Sequence, residues 1–280
     1  MTWAAVIGSP ISHSLSPVLH RAAWDSLGVG SDWEYRIIEQ TPESLPGFVS
    51  SLDPGCLGLS VTMPCKQAVM PLLDVLDPLA EAVGAVNTVL PTAGVLTGAN
   101  TDVHGIVAAV REARAAERLP DVRSCVILGA RATASSALAA CGHLHVDRVV
   151  VAARHFGGPG SVLAASARLG VGVDQVLLTR RDEVLDAIAS ADLLVSTLPA
   201  GVADDLAREV IPRGGQTLLD IVYAPRLTGL VRAWQGAGAS IAWGTEMLLH
   251  QAAEQVRLMT GRIPDIEAMR TSLHRALGSR

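Results

Sequence analysis

The 280-residue sequence predicts an α/β fold in two domains. Short apolar runs alternate with helix-compatible stretches from the first residues onward. Near the middle, a polar cluster of Asn100, Thr101 and Asp102 leads into an alanine-rich stretch, and beyond Pro120 the strand-helix-strand pattern begins again. The main boundary is therefore expected just after the cluster, with residues 1–103 in a first domain, 104–243 in a second, and 244–280 forming a C-terminal helical segment.

Residues 3–7 (WAAVI) read as a strand ended by Gly8, Ser9 and Pro10. A helix is expected over 17–27, with Ser16 as its cap, Pro17 at its first position, and Leu19, Ala22, Ala23, Trp24 and Leu27 on one face. Strands at 33–38 and 56–61 flank a helix near 42–50, a βαβα spacing suited to parallel strands. Helices follow over 66–76 and 78–83, then two short strands around a turn containing Gly94. The alanine-rich helix covers 103–116 and is limited by Pro120. In the second half, strands at 125–128 and 148–154 enclose a small-residue helix over 133–140. Gly157, Gly158, Pro159 and Gly160 make a loop before a helix at 162–168, and apolar runs at 191–199, 217–223 and 239–243 read as further strands. Gly244 precedes a long amphipathic helix over 245–259, and Pro264 punctuates a last helical segment.

Composition narrows the function classes. Hydrophobic residues make up 49% of the chain and aromatics 3%, so the core rests on Ala, Val, Leu and Ile and disorder is excluded. A net charge of −5 leaves no general basic field for a nucleic-acid backbone or an anionic membrane. The four cysteines show no CxxC spacing, which argues against a metal site and for a reducing compartment. The first residues carry no basic region ahead of their apolar run, and no run reaches the roughly 18 apolar residues a membrane span needs, so a soluble cytoplasmic protein is expected.

The turn after the strand at 125–128 reads GARATA and opens a helix, the context in which backbone N–H groups face a pyrophosphate. Gly129 meets the first position of G-x-G-x-x-G/A and Ala134 the last, but Arg131 stands at the second. The segment admits a nucleotide site or an ordinary strand-helix turn, and Arg131 either reaches a phosphate or is solvated. At the end of the next strand, Arg154 offers positive charge where a carboxylate would accept from a ribose 2′-hydroxyl. That favours NADP(H) over NAD, against the plainer reading of a surface arginine.

The segments GSPISHSLSP, SVTMPCK, GAVNT, NTD, the Gly129 turn, DIVYAP and MLLHQA, in that order, resemble the shikimate dehydrogenase family over nearly the whole chain. The resemblance implies an N-terminal α/β substrate domain, a Rossmann-type NADP domain and C-terminal helices returning to the first. It implies a monomer or homodimer that reversibly reduces 3-dehydroshikimate on the route to chorismate and aromatic amino acids. It further implies a substrate pocket lined by Ser14, Ser16, Ser60, Thr62, Lys66, Asn87, Asp102, Tyr223 and Gln251, with Lys66 and Asp102 carrying the chemistry. Such a set suits a small polyhydroxylated carboxylate, whose oxygens hydroxyl and amide groups match, and an ammonium can exchange a proton with the reacting oxygen. Ser14 and Ser16 would address the carboxylate. Read without the family, Ser16 is a helix cap, Lys66 a solvated lysine and Gln251 an exposed helix residue. The cofactor set implied is Gly129, Ala130, Arg131, Ala132, Thr133, Arg154, Ser196, Thr197, Ile221, Gly244 and Met247.

Several positions depart from the family pattern. Ser60 stands where an asparagine is usual, GARATA replaces GAGGTA, the N-R-T segment becomes Ala153, Arg154, His155, and N-A-T-P becomes Ser196, Thr197, Leu198, Pro199. These leave two alternatives open: an NAD-dependent quinate/shikimate dehydrogenase, and a shikimate-binding protein without catalysis.

Overall fold

The computed structural model describes residues 1–158 and 160–278. Pro159 of the expected glycine loop, and the last two positions of the C-terminal segment, lie outside the described residues. The chain divides into two compact units, one of residues 1–102 with 249–280, the other of residues 103–248.

In the first unit the chain runs β1 (Thr2–Gly8), α1 (Ser16–Ser26), β2 (Trp33–Glu39), α2 (Leu45–Ser50), β3 (Cys56–Val61), α3 (Cys65–Ala68), β4 (Val75–Leu76), α4 (Pro78–Val83), β5 (Thr88–Thr92) and β6 (Val95–Ala99). The strands form one sheet in the order β2-β1-β3-β5-β6-β4. β1 pairs parallel with both β2 and β3, as expected, and its run from Trp3 to Gly8 is buried because helices cover a central strand on both faces. The other half departs from an all-parallel sheet: β5 is antiparallel to β3 and to β6. The β5–β6 pairing follows from the short connection at Ala93 (φ 51°) and Gly94 (φ 82°), a left-handed turn that joins these two strands as a hairpin.

Of the helix expected over 66–76, the first turn alone forms as α-helix among the described residues. α3 ends at Ala68, a 3-10 turn spans Met70–Leu72, and β4 follows. Pro71 has no N–H to continue the helix, and the Asp74 carboxylate ties the chain to β6 by accepting from Leu96 N at 2.8 Å. The helix start at α1 also differs: Ser16 is its first residue rather than its cap. Leu15 is already in helical conformation, and the Ser14 hydroxyl accepts from Ser16 N at 3.2 Å. α4 follows its local code, since Asp77 accepts from Leu79 N and Ala80 N, Pro78 opens the helix, and Gly84 ends it at φ 74°.

α5 (Asp102–Ala116) leads into the second unit: β7 (Ser124–Leu128), α6 (Ala132–His143), β8 (Arg148–Ala153), α7 (Val162–Leu169), β9 (Asp174–Leu177), α8 (Arg181–Ser190), β10 (Leu193–Ser196), α9 (Asp204–Ala207), β11 (Thr217–Asp220), α10 (Gly229–Gly236) and β12 (Ser240–Trp243). The sheet order is β12-β11-β10-β7-β8-β9, with every pairing parallel. That is the doubly wound Rossmann order, and it puts the switch in strand order between β7 and β10. Aliphatic strand residues such as Val126, Leu128 and Leu194, together with Trp234 from α10, form its core.

α11 (Gly244–Thr260) and α12 (Ile266–Gly278) complete the chain. α12 packs back on α1 of the first unit and buries Met269 and Leu273. Arg262 Nη2 donates to Leu27 O at 2.8 Å, and Ser26 Oγ accepts from Asp265 N at 3.2 Å. No helix among the described residues is long and apolar enough to cross a membrane.

Candidate active site

The polar centre of the first unit is built around Asn87, which follows the short 84–86 segment and immediately precedes β5. Its Oδ1 accepts from Thr101 N at 2.8 Å, and its Nδ2 donates to Asp102 Oδ1 at 2.8 Å. A backbone N–H only donates and a carboxylate only accepts, so these two bonds fix which end of the amide is which. Lys66 Nζ donates to the other carboxylate oxygen, Asp102 Oδ2, at 2.5 Å, with side-chain exposures of 16% for Lys66 and 6% for Asp102. Gln251 Oε1 on α11 lies 3.4 Å from the Asn87 amide nitrogen. Lys66, Asn87, Asp102 and Gln251, distant in sequence, are thus one hydrogen-bonded cluster. It presents an ammonium held against a largely desolvated carboxylate, an arrangement able to pass a proton to or from an oxygen placed beside Nζ.

Ser60 belongs to a buried extension of the cluster. Its hydroxyl donates to Gln255 Oε1 at 2.8 Å and accepts from the Tyr35 hydroxyl at 2.7 Å. The Ser16 hydroxyl also contacts that phenol, and burial pushes the Tyr35 ionisation well upward, keeping it a donor. Ser14 and Thr62 are half-buried.

Behind Tyr35 lies His20, stacked on the phenol ring at 4.2 Å with the planes 28° apart. Its Nδ1 is 3.0 Å from Ser16 O, a carbonyl that can only accept, so the proton sits on Nδ1. Burial lowers its pKa from 6.5 to about 4, opposed by the Ser16 bond. Between these values the unfolded chain binds a proton that the folded chain does not, so stability falls as pH drops through that window. At pH 5 the loss is about 2 kcal/mol. Denaturant titrations at pH 7 and pH 5 are expected to show a loss in the parent protein that exceeds that in His20→Phe by this amount; equal losses would refute the assignment.

The expected cofactor residues gather at the carboxyl ends of β7, β8, β10 and β11. Gly129 has φ 111°, and a Cβ there would lie 2.3 Å from Thr197 Oγ1. Thr197 in turn donates to Leu128 O from its N at 2.9 Å and from its hydroxyl at 2.7 Å. Gly129 and Thr197 therefore close the two strand ends where the order reverses, the crevice in which doubly wound sheets hold dinucleotides. Ala132 and Thr133 open α6, whose first-turn N–H groups have no intrahelical acceptor and suit a phosphate. Ala130 O accepts from Val162 N at 3.0 Å. Arg131 and Arg154 are exposed, and Arg131 lies beside the loop after β8, its Nη1 3.5 Å from where a Gly158 Cβ would sit. The residues present fit a phosphorylated dinucleotide.

On β11, burial raises the Asp220 carboxyl, opposed by bonds from Thr228, Val222 N and Ser196. Thr228 Oγ1 donates to it at 2.7 Å, anchoring both ends of the 221–227 loop that carries half-buried Tyr223. Ile221 N donates to Ser196 O at 3.1 Å. Gly244 is required by packing, since a Cβ would meet Asp220 O at 2.6 Å and Ile221 O at 2.7 Å. Met247 is buried.

Tyr35, Thr88, Thr101 and Gln255 lie outside the set of site residues expected from the sequence. Gln255 had a signal: it lies one helical turn after Gln251 and shares its face of α11. Tyr35 had none, because nothing local marks a strand tyrosine as polar-facing.

Similarity to known proteins agrees with this geometry. A family model described as the shikimate dehydrogenase substrate binding domain matches residues 6–89, and one described as the shikimate 5′-dehydrogenase C-terminal domain matches residues 244–274. Shikimate dehydrogenase (NADP(+)) of Citrifermentans bemidjiense is 37% identical over 276 residues, covering 96% of this chain and 93% of that protein. The shikimate 5-dehydrogenase of Thermus thermophilus, solved with NADP(H) and shikimate, superposes with a TM-score of 0.83 at 31% identity, over 99% of this chain and 100% of that one. Quinate dehydrogenase from Corynebacterium glutamicum, solved with NAD, gives 0.84 at 30% identity, over 98% and 99%.

Proposed function

The chain belongs to the shikimate dehydrogenase family, and we propose that it catalyses reversible NADP-dependent hydride transfer between shikimate and 3-dehydroshikimate, a step of aromatic amino acid biosynthesis. The observation that carries this reading is the Lys66–Asp102 pair, with Asn87 bonded to the same carboxylate. NADP(H), when bound, supplies or accepts the hydride. Lys66 gives a proton to the substrate oxygen during reduction and accepts one during oxidation. Asp102 orients the ammonium, while Asn87 and Gln251 offer amides to substrate hydroxyls. Ser14, Ser16, Thr62 and Tyr223 complete the substrate set, Ser60 stands behind it with its proton committed to Gln255, and the groups around Gly129 and Thr197 hold the dinucleotide.

Arg154 supports NADP over NAD, because a guanidinium satisfies a 2′-phosphate and repays its charge. The relative that is a quinate dehydrogenase solved with NAD keeps the alternative specific: an NAD-dependent enzyme acting on quinate as well. Absorbance at 340 nm with purified protein, shikimate or quinate, and NADP⁺ or NAD⁺ tests both. Shikimate with NADP⁺ is expected to give the highest kcat/KM; an NAD⁺ preference overturns the cofactor assignment, and shikimate binding without turnover favours a non-catalytic protein. Arg154→Ser is expected to raise KM for NADP⁺ by about 10- to 100-fold, the scale of a lost charge-assisted contact, with little change for NAD⁺. Equal effects on both cofactors would remove Arg154 from 2′-phosphate recognition.

A further inference from the structure

We infer that Tyr35 and Gln255 are positioning residues that hold Asn87, and through it Asp102, in register for the reaction, by a buried hydrogen-bond chain of fixed direction. This rests on the reading of Lys66 and Asp102 as the proton-transfer pair. The direction follows from groups with only one possible role. Gln255 Nε2 donates to Asn87 O at 2.9 Å, and that carbonyl can only accept, so the amide is pinned with Oε1 toward Ser60. Ser60 must then spend its single proton on Gln255, at 2.8 Å. With that proton committed, Tyr35 is the donor in the 2.7 Å contact with Ser60. Beyond Gln255, Nε2 also donates to Thr88 Oγ1 at 3.0 Å, and Thr88 passes its proton to Asn87 Oδ1 at 2.8 Å. Asn87 ends the chain by donating to Asp102.

The chain is dry. Tyr35 is 2% exposed, Gln255 1%, Asn87 2% and Thr88 0%. Each buried polar group in it is satisfied, so removing one link leaves its neighbours unpaired where no solvent can replace it. Ser60 contributes here as a link: its proton goes to Gln255 and it accepts from Tyr35, so its influence on the substrate runs through Asn87. A serine at this position is short enough to bridge the phenol of β2 and the amide of α11.

Gln255→Met keeps the side-chain volume and removes the hydrogen bonds; Tyr35→Phe removes one oxygen. Gln255→Met is expected to lower kcat by about 10- to 100-fold, the effect of a small misplacement of catalytic groups, with KM for shikimate changing less. Tyr35→Phe alone is expected to lower kcat severalfold, and in the Gln255→Met background to lower it by clearly less, because the part of its effect that passes through Ser60 and Gln255 is already lost and its contact with Ser16 alone is left. Additive losses, or a kcat for Gln255→Met within twofold of the parent, overturn the inference. If Gln255→Met does not fold, Tyr35→Phe decides by its own kcat. A parent protein that does not turn over shikimate refutes the proposed function instead. In that event the Asn87 side-chain NH₂ resonance, assigned by Asn87→Asp, decides: a shift in Tyr35→Phe supports the chain, and an unmoved resonance overturns it.

Discussion

Lys66→Ala is expected to lower kcat by about 10²- to 10⁴-fold, the range that a general acid-base group contributes. The Lys66 ammonium and the Asp102 carboxylate lie 2.5 Å apart with side-chain exposures of 16% and 6%, so solvent is a poor substitute for either. Removing the lysine deletes the proposed proton donor and leaves Asp102 with its bond from Asn87 in place of a paired charge. Some loss of stability is therefore expected beside the loss of rate, and two measurements separate them. The residues proposed to hold the dinucleotide belong to the other unit, so NADPH affinity, followed by its fluorescence, should stay near the parent value. A small primary amine added to Lys66→Ala should restore part of the rate, which a packing defect would not allow. A folded variant with kcat within about fivefold of the parent would remove Lys66 from proton transfer.

Much of the fold was legible because its signals are local. DPLAEAVG spells out a cap, a first-turn proline and a left-handed stop, and α4 forms over it. The hairpin of β5 and β6 was visible in its turn, while its antiparallel pairing to β3 depends on partners distant in sequence. The helix expected over 66–76 failed where one proline outweighed a helical apolar pattern. The candidate site divides along the same line. Lys66, Asn87 and Asp102 stood in recognisable motifs, but the state of Ser60 was set by Gln255, which is 195 residues away in sequence and meets it only after α11 returns to the first unit. Which way each proton points in that chain is decided by the carbonyl of Asn87, and no local pattern encodes it.

Gly129→Ala is expected to destabilise the second unit strongly for the addition of a single methyl group. Its φ of 111° lies where a residue with a Cβ is strained, and that Cβ would stand 2.3 Å from Thr197 Oγ1. Thr197 has little room to withdraw, since its hydroxyl is bonded to Leu128 O at 2.7 Å and its N–H to the same oxygen at 2.9 Å. Backbone strain plus a broken bond amounts to about 2–4 kcal/mol, or roughly 5–15 °C in the melting temperature of a domain of this size. NADPH affinity should fall with it, because the displaced segment is the turn that would face the pyrophosphate. Gly129→Ala combined with Thr197→Ala separates the two causes. It relieves the collision but not the backbone strain, so the double variant should recover part of the melting temperature and remain below Thr197→Ala alone. Gly129→Ala melting with the parent and binding NADPH equally well would mean that the strand ends at the switch point separate freely, and the crevice would lose its claim as the dinucleotide site.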